Sequence, residues 1–430
     1  MNLFFNFKKD YFNYLVSIIL PALISGISIP VFKHILGAEG YGQFSLWFNA
    51  VLIFTAVLSG WVFQSIIRFY PTSNNGPLFS QQAIKITLIT QLIFFIPVVV
   101  VIYFISNDIM LAILCGLALS VTCFQFTVLA IIQSSFLSKK VIFSEVIRVV
   151  SYMLVALALL LLFGVHYLYA LFISVCLSYL VSVIYLLNQL TNIFGRQATI
   201  YKSEVTIKPM VRQFLKYGAP LSLWFVFAYL LTYIDKLFIL SNLGGQAQGN
   251  YQAIFDLLSR SITILISPVV TSIFPLLTSS YEKGDRNEIR RLLQRVILLE
   301  AGSLILAVVA YWIFGASLLS YILKTPDTFQ YKLMGVIIIT ATFIWQIGIL
   351  IQKRFELKKK SLYLLFMVII AFLVQCGFYF ITKQNSSPLI YPLGFLVAAV
   401  VYVLLISLSE IKKIAGKLSI KIASRQVPHN

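Results

Sequence analysis

The sequence predicts an all-α membrane protein that crosses the bilayer about twelve times, in two six-helix lobes around a central cavity. Of its 430 residues, 60% are hydrophobic, and the mean hydropathy of +0.93 leaves no room for a conventional water-soluble surface. The apolar stretches are each long enough to span a membrane, which takes roughly 20 residues. A motif that recurs in the two halves predicts the lobes.

Twelve apolar segments follow one another along the chain. They lie near 12–36, 43–68, 83–106, 109–136, 144–164, 167–190, 217–242, 251–279, 296–316, 333–352, 361–382 and 389–408. An even number of crossings places both termini on one side of the membrane. The connections are too short to fold as domains, so we expect the function to reside within the membrane. The predicted organisation is an N-terminal lobe, an inter-lobe loop, a C-terminal lobe and a basic tail, at 1–195, 196–216, 217–408 and 409–430.

The distribution of charge predicts the orientation. The net charge is +19, from 33 Lys and Arg against 14 Asp and Glu. If the N-terminus is cytoplasmic, most basic residues fall in cytoplasmic connections, as the positive-inside rule requires. The excess charge is then explained by topology and by attraction to anionic membrane lipid, rather than by binding of nucleic acid. We therefore expect a multi-pass protein with both termini in the cytoplasm.

A short motif recurs at the first hairpin of each half. Leu36-Gly37 is followed by Gly42 and Phe44, and Leu243-Gly244 by Gly249 and Tyr251, always 207 residues later. Glycine suits a turn that needs a positive φ or a close backbone approach. A chance match of so short a motif is the alternative. Duplication would give two lobes of the same orientation, related by a pseudo-twofold axis along the membrane normal.

Four charged residues lie inside predicted membrane helices of the second half: Asp235, Lys236, Asp256 and Arg260. Each costs about 2.5–3.5 kcal/mol at the bilayer centre, so each needs a compensating environment. The spacing of Asp256 and Arg260 places them on one helical face, where they can pair. The cluster is interpreted either as a buried network that pins helix seven to helix eight or as a water-filled cavity that receives an anion. Lys236 could instead extend to the outer interface.

The first half offers polar candidates of its own. Asn49 occupies the place of Asp256 in the repeat, and Gln64 and Arg68 lie one helical turn apart. Arg68 and Lys33 are also explained as anchors at the inner and outer interfaces. Glu145 and Arg148 are expected to pair locally near the inner interface.

The sequence contains no constellation typical of a metal site, a nucleotide site or a catalytic centre. We therefore expect no metal, no cofactor and no enzymatic activity. The alternative of a membrane polysaccharide polymerase is disfavoured because such an enzyme needs a sizeable extramembrane loop. The alternative of a cation antiporter needs unpaired intramembrane acids, and helices one to six offer none that lies deep.

Two hairpins carry a resemblance to a known family. The stretches Ile35–Phe44 and Tyr233–Ala253, followed by Ser267-Pro268 and Phe274-Pro275-Leu276, resemble polysaccharide flippases of the multidrug/oligosaccharidyl-lipid/polysaccharide exporter superfamily. The resemblance implies that the chain turns undecaprenyl-diphosphate-linked oligosaccharide from the cytoplasmic to the outer leaflet. It implies transport by rocking of the two lobes, in O-antigen, lipopolysaccharide or other surface-polysaccharide assembly. The multidrug or cation antiporters of the same superfamily remain the alternative.

The resemblance also implies a location and roles. The protein would lie in the bacterial cytoplasmic (inner) membrane, with a polysaccharide polymerase and a chain-length regulator as partners. Arg260 and Lys236 would contact the diphosphate or an acidic sugar, and Asp235 and Asp256 would orient them. Arg68 would be a contact from the first lobe, near Gln64, Asn49 and Lys33.

Overall fold

The computed structural model describes residues 2–73, 75–135, 137–194, 207–358, 360–383 and 387–423. This part of the chain is helical and contains no strand, so the predicted fold class is confirmed. Residues 196–206 of the predicted inter-lobe loop and 424–430 of the predicted tail lie outside the described residues. Residues 207–216 of that loop and 409–423 of that tail are helical.

Twelve α-helices make up the bundle: α1 Asn2–Phe69, α2 Gly76–Ser106, α3 Ile109–Ser134, α4 Ser138–Leu157, α5 Tyr167–Phe194, α6 Ile207–Leu243, α7 Gly245–Glu282, α8 Arg286–Ala310, α9 Ala316–Leu323, α10 Phe329–Leu357, α11 Ser361–Thr382 and α12 Ile390–Ala423. Short π-helical segments extend α4 to Leu162 and join α8 to α9. The bent α1 contains the first two predicted crossings, and α8 with α9 forms the ninth. Within the described ranges, ten helical stretches are long and apolar enough to cross a membrane.

Single glycines make the turns that begin each half. Gly37, with φ 73°, bends α1 into two limbs, and Gly244, with φ 83°, separates α6 from α7. Both values lie in the left-handed region that glycine adopts without a steric penalty. The positive φ predicted from the repeat is thus confirmed at both turns. The side of the bundle that carries Gly37 and Gly244 is called the glycine-turn end below, and the opposite side the far end.

The two lobes of the bundle meet along α1, α6 and α7. In the first lobe α3 and α4 pack on α5 and on α1, whereas in the second α6 packs on α11 and α7 on α10. The second limb of α1 approaches α6 closely, since a β-carbon on Gly60 would lie 2.6 Å from the hydroxyl of Ser222. Ser65 also donates a hydrogen bond to the carbonyl of Phe214. These contacts fix the walls between which the polar residues lie.

Candidate functional site between the lobes

Arg260 faces the space between the two lobes. It lies on α7 of the second lobe and is exposed, and its guanidinium lies near Tyr152 on α4 and Tyr179 on α5 of the first lobe. In the described part of the chain, salt bridges join Arg148 to Glu145, Lys332 to Asp327 and Lys353 to Glu356. Arg260 takes part in none of them. A guanidinium placed in this way presents its donors to a ligand between the lobes.

Asp256 and Arg260, whose spacing allows them to pair, form none of the salt bridges found among the described residues. The hydroxyl of Tyr41 donates a 2.8 Å hydrogen bond to Asp256 Oδ2. Tyr41 comes from the hairpin that follows Gly37, so the packing of the two halves supplies the carboxylate with a partner 215 residues away in sequence. The spacing of two residues on one helix could not predict that Tyr41 would bind Asp256 in place of Arg260.

A second guanidinium lies against Tyr179. Arg148 pairs with Glu145 at 2.6 Å, as predicted, and lies over the Tyr179 ring at 4.8 Å from its centroid. Gln125 Nε2 donates to Glu145 Oε1 at 2.9 Å, so α3 supports the pair. Tyr179 interacts with both Arg148 and Arg260. The sequence missed this relationship, because only the packing of α4, α5 and α7 brings the three residues together.

Arg148 and Arg260 also lie at similar depth. Each is about 15 residues from the glycine-turn end of its helix, or roughly 22 Å at the rise of an α-helix. Since α7 begins at Gly245 rather than at residue 251, Arg260 lies about two turns deeper than the sequence indicated. The two arginines therefore belong to the middle of the bundle rather than to an interface.

Asp235 and Lys236 are enclosed. Asp235 is fully buried and accepts hydrogen bonds from the hydroxyls of Tyr251 and Tyr379 and from Gln375 Nε2. These donors belong to α7 and α11, so one carboxylate on α6 joins three helices. Lys236 is 1% exposed, and its Nζ lies 5.8 Å from the centre of the Phe255 ring. Neither side chain is presented to a ligand in this conformation.

Two of the four candidates from the first lobe, Lys33 and Asn49, hydrogen-bond to backbone carbonyls. Lys33 is buried and donates a 2.7 Å hydrogen bond to the carbonyl of Leu323, at the end of α9. Asn49 bonds within its own helix, to the carbonyl of Ser45. Gln64 is half-buried.

Arg68 is exposed in the last turn of α1, near Tyr217. Counted from the glycine turns, it lies about 15 residues deeper than Arg260, or roughly 22 Å along the bundle. The structure therefore places Arg68 at the far end, away from the space that Arg148 and Arg260 share.

A family model described as "Polysaccharide biosynthesis protein" matches residues 7–281, the part of the chain that contains both hairpins and all the residues of the site. The chain belongs to this family of polysaccharide biosynthesis proteins. No curated protein sequence matches the chain. The resemblance drawn from the two hairpins is thus confirmed at the level of the family.

Solved structures confirm that this member of the polysaccharide biosynthesis family has the fold of a transporter. An inward-facing and an outward-facing structure of a multidrug resistance MATE family transporter of the MOP superfamily each give a TM-score of 0.70 at 13% identity, over 95% of this chain and 96% of that chain. A MOP superfamily transporter from Pyrococcus furiosus, described as having a binding pocket of reverse polarity that suggests a different function, gives 0.65 at 15% identity, over 92% and 95%.

The overall likeness does not distinguish the two conformations. The glycine-turn end is closed by three hydrogen bonds between the halves: Tyr41 to Asp256, Lys33 to the carbonyl of Leu323, and Gln248 to the carbonyl of Gly42. An opening toward this end would require these bonds to break.

Proposed function

We propose that the protein is a flippase that moves undecaprenyl-diphosphate-linked oligosaccharide from the cytoplasmic to the outer leaflet, for the assembly of O-antigen or another surface polysaccharide. Membership of a polysaccharide biosynthesis family and a transporter fold support the general class. The observation that carries the proposal is Arg260, an exposed guanidinium at mid-depth between the lobes that takes part in none of the salt bridges of the described residues.

The substrate's diphosphate sets the physical requirement. An uncompensated charge moved into a medium of low dielectric constant costs on the order of tens of kcal/mol. The membrane potential contributes only about 2.3 kcal/mol per charge per 100 mV, so a hydrated, cationic passage is required. Arg260 and Arg148 provide guanidinium groups, whose planar donor pairs match the oxygens of phosphate. The lipid tail stays in an apolar environment while the headgroup passes between the lobes.

The proposed cycle is alternating access of the two lobes. With the termini in the cytoplasm, the glycine-turn end faces outward, and its closure by Tyr41–Asp256 and Lys33–Leu323 suits a state that receives substrate from inside. Rocking the lobes would break these bonds and open the outer side. The same movement would separate Arg148 on α4 from Arg260 on α7, which weakens the hold on the diphosphate and favours release.

The superfamily's multidrug antiporters share the fold, but the acids of this site do not suit cation export. Glu145 is paired with Arg148, Asp256 is bonded to Tyr41, and Asp235 is enclosed by three donors. A cation would have to displace these partners before it found a carboxylate. The cationic character of the inter-lobe space favours an anionic substrate.

The test is the sidedness of the substrate in a strain that lacks the gene. Undecaprenyl-diphosphate glycan would be probed with a membrane-impermeant glycosidase or lectin, and we expect it to stay inaccessible until the wild-type chain is restored. Arg260→Ala should restore less than a tenth of the exposure, whereas Arg212→Ala, at an exposed position of α6 near its far end, should restore it fully. If the glycan is exposed normally in the deletion strain, and that strain has no redundant flippase, the flippase proposal fails and the antiporter becomes the preferred function.

A further inference from the structure

We infer that an apolar cavity between α1, α3 and α6 binds the isoprene units adjacent to the diphosphate of the lipid-linked substrate. The inference rests on the proposed function and adds to it a second binding site, for hydrocarbon rather than for the anionic headgroup. It assigns the lipid chain near the headgroup to a defined place between the lobes, instead of leaving the whole tail in the surrounding bilayer.

The cavity has a volume of about 240 Å³. Its walls are formed by Phe63 on the second limb of α1, Phe126 and Leu129 on α3, and Phe225 and Tyr229 on α6. The ring of Phe63 lies 5.8 Å from that of Phe126 and 6.5 Å from that of Phe225, so the aromatic wall crosses from one lobe to the other. For comparison, an engineered apolar cavity of about 150 Å³ binds benzene. The space is therefore large enough for a short branched hydrocarbon segment.

Two links connect this cavity to the arginines. Phe126 directly follows Gln125, which donates to Glu145 and thereby supports the Glu145–Arg148 pair. On the opposite wall, Tyr229 lies near Tyr179, and the guanidinium groups of Arg148 and Arg260 also lie near Tyr179. A ligand with its anionic group beside Tyr179 would thus extend its other end into the cavity.

The chemistry of the walls favours hydrocarbon over sugar. Each sugar hydroxyl that enters such a space needs a hydrogen-bond partner, because an unpaired polar group is costly there. The hydroxyl of Thr55, one of the polar groups of the lining, already donates to the carbonyl of Val51. Aromatic and aliphatic surfaces instead stabilise a bound chain in proportion to the apolar area removed from water.

The two guanidinium groups favour a prenyl diphosphate over a phospholipid. Arg148 of the first lobe lies over the Tyr179 ring and Arg260 of the second lobe lies near the same tyrosine, so two guanidinium groups are available for two linked phosphates with one chain attached. A phospholipid offers one phosphate with two chains. We therefore commit to the polyprenyl chain as the occupant and treat a phospholipid acyl chain as an outcome of the test.

The test measures binding of inorganic diphosphate, geranyl diphosphate and farnesyl diphosphate to the full-length protein in detergent. We expect the prenyl compounds to bind at least tenfold more tightly than inorganic diphosphate. Leu129→Trp fills the cavity and should abolish this gain while leaving the affinity for inorganic diphosphate unchanged. The matched control is Leu117→Trp on the same helix, where the side chain is 43% exposed; it should keep the gain. Phe225→Trp, from the opposite wall, repeats the test if Leu129→Trp does not fold.

The outcomes separate the two proposals. Equal binding of inorganic and prenyl diphosphates, or a gain that survives both Trp substitutions, would overturn the cavity assignment and leave the flippase standing. Competition by phosphatidylglycerol micelles as strong as that by farnesyl diphosphate would assign the cavity to a phospholipid chain and also overturn it. If no diphosphate binds, or if Arg260→Ala changes none of the affinities, the flippase proposal fails together with the cavity.

Discussion

Gly42 and Gly249 occupy equivalent places in the two repeats and meet across the interface between the lobes, where a β-carbon on Gly42 would lie 2.9 Å from the Cα atom of Gly249. A β-carbon on Gly249 would overlap the carbonyl oxygen of Ala38. Gln248 Nε2 adds a 3.3 Å hydrogen bond to the carbonyl of Gly42. The pseudo-twofold axis predicted from the repeat would pass through this contact between equivalent glycines.

Gly249→Ala should destabilise the closed glycine-turn end. The added methyl group meets backbone rather than a flexible side chain, so relief requires the two hairpins to separate, and overpacking of this kind costs about 1–3 kcal/mol. Thermal unfolding in detergent would show a lower Tm. Gly302→Ala on α8 is the control, since nothing lies within 4 Å of its β-carbon position. Equal stability of the two variants would contradict the close approach.

Tyr41→Phe should weaken the binding of diphosphate. Without the tyrosine hydroxyl, Asp256 loses its donor and becomes free to pair with Arg260, one turn away on the same face. A pair worth about 0.5–1 kcal/mol would lower the affinity roughly two- to fivefold. The double variant Tyr41→Phe with Asp256→Asn should restore it.

Tyr167→Phe is the control for this experiment. Its hydroxyl bonds to Gln43 at the same end of the bundle, so its loss perturbs the hairpin without releasing Asp256. If the Tyr41→Phe and Tyr167→Phe variants bind diphosphate equally well, the Tyr41 hydroxyl does not keep Asp256 from pairing with Arg260.

Asp235→Asn should lower stability. The carboxylate accepts from Tyr251, Gln375 and Tyr379, and an amide offers one acceptor oxygen with an NH₂ group that confronts the remaining donors. An unsatisfied buried group costs about 1–3 kcal/mol, which a denaturation curve in detergent would register. If the Asp235→Asn variant is as stable as the wild type but does not export the substrate, Asp235 acts in transport rather than in stability.

Tyr379→Phe should have a smaller effect of the same sign, because it removes one of the three donors to Asp235. Tyr363→Phe is the matched control on α11, where the side chain is 44% exposed, and it should leave the Tm unchanged. A Tyr379→Phe protein as stable as the Tyr363→Phe protein would show that the Asp235 cluster does not hold α6 to α11.

Asp108 should give the stability a measurable pH dependence. It caps α3: the N–H of Leu111 donates to its Oδ1 at 3.0 Å and the Tyr169 hydroxyl to its Oδ2 at 2.8 Å. The Leu111 bond, aided by Tyr169, holds the pKa of this carboxyl below its usual value. The stabilisation is therefore present above the unfolded pKa of about 3.9 and is lost as pH falls through the folded pKa.

Asp108→Ala should cost about 1 kcal/mol at pH 7, and the difference from wild type should shrink below about pH 4. Unfolding measured between pH 3 and pH 8 tests this. Asp108→Asn keeps a capping oxygen but cannot ionise, so its stability should not follow the same curve. A difference between Asp108→Ala and the wild type that stays constant over the whole range would exclude the charged cap.

The sequence predicts features that follow from a repeated motif or from the length of an apolar segment. It does not predict contacts that arise only when the helices pack together. The positions of Gly37 and Gly244 follow from one motif at a constant offset, and their φ angles confirm it. The spacing of Asp256 did not reveal its hydrogen-bond partner, Tyr41, because that partner is distant in sequence. The depth of Arg260 was underestimated because α7 starts directly after Gly244.

Arg148 illustrates the same limit. Its pairing with Glu145 is local and was predicted. Along the sequence alone, that pair accounts for the charge of Arg148 without any further partner. Its place over the ring of Tyr179, a residue that also lies near Arg260, depends on the packing of α5 against α4. No spacing in the chain encodes that encounter.

The bend at Gly37 forms an elbow that couples the two limbs of α1. Because one residue joins its two limbs, no slack loop absorbs a displacement of the first limb, and the second limb must follow. The second limb is about 48 Å long, so a 10° change at the elbow would move its far end by roughly 8 Å. A small torsional change in one glycine would thus be amplified into a movement of more than one helical turn, whose rise is about 5.4 Å, at the end of the bundle where Arg68 lies.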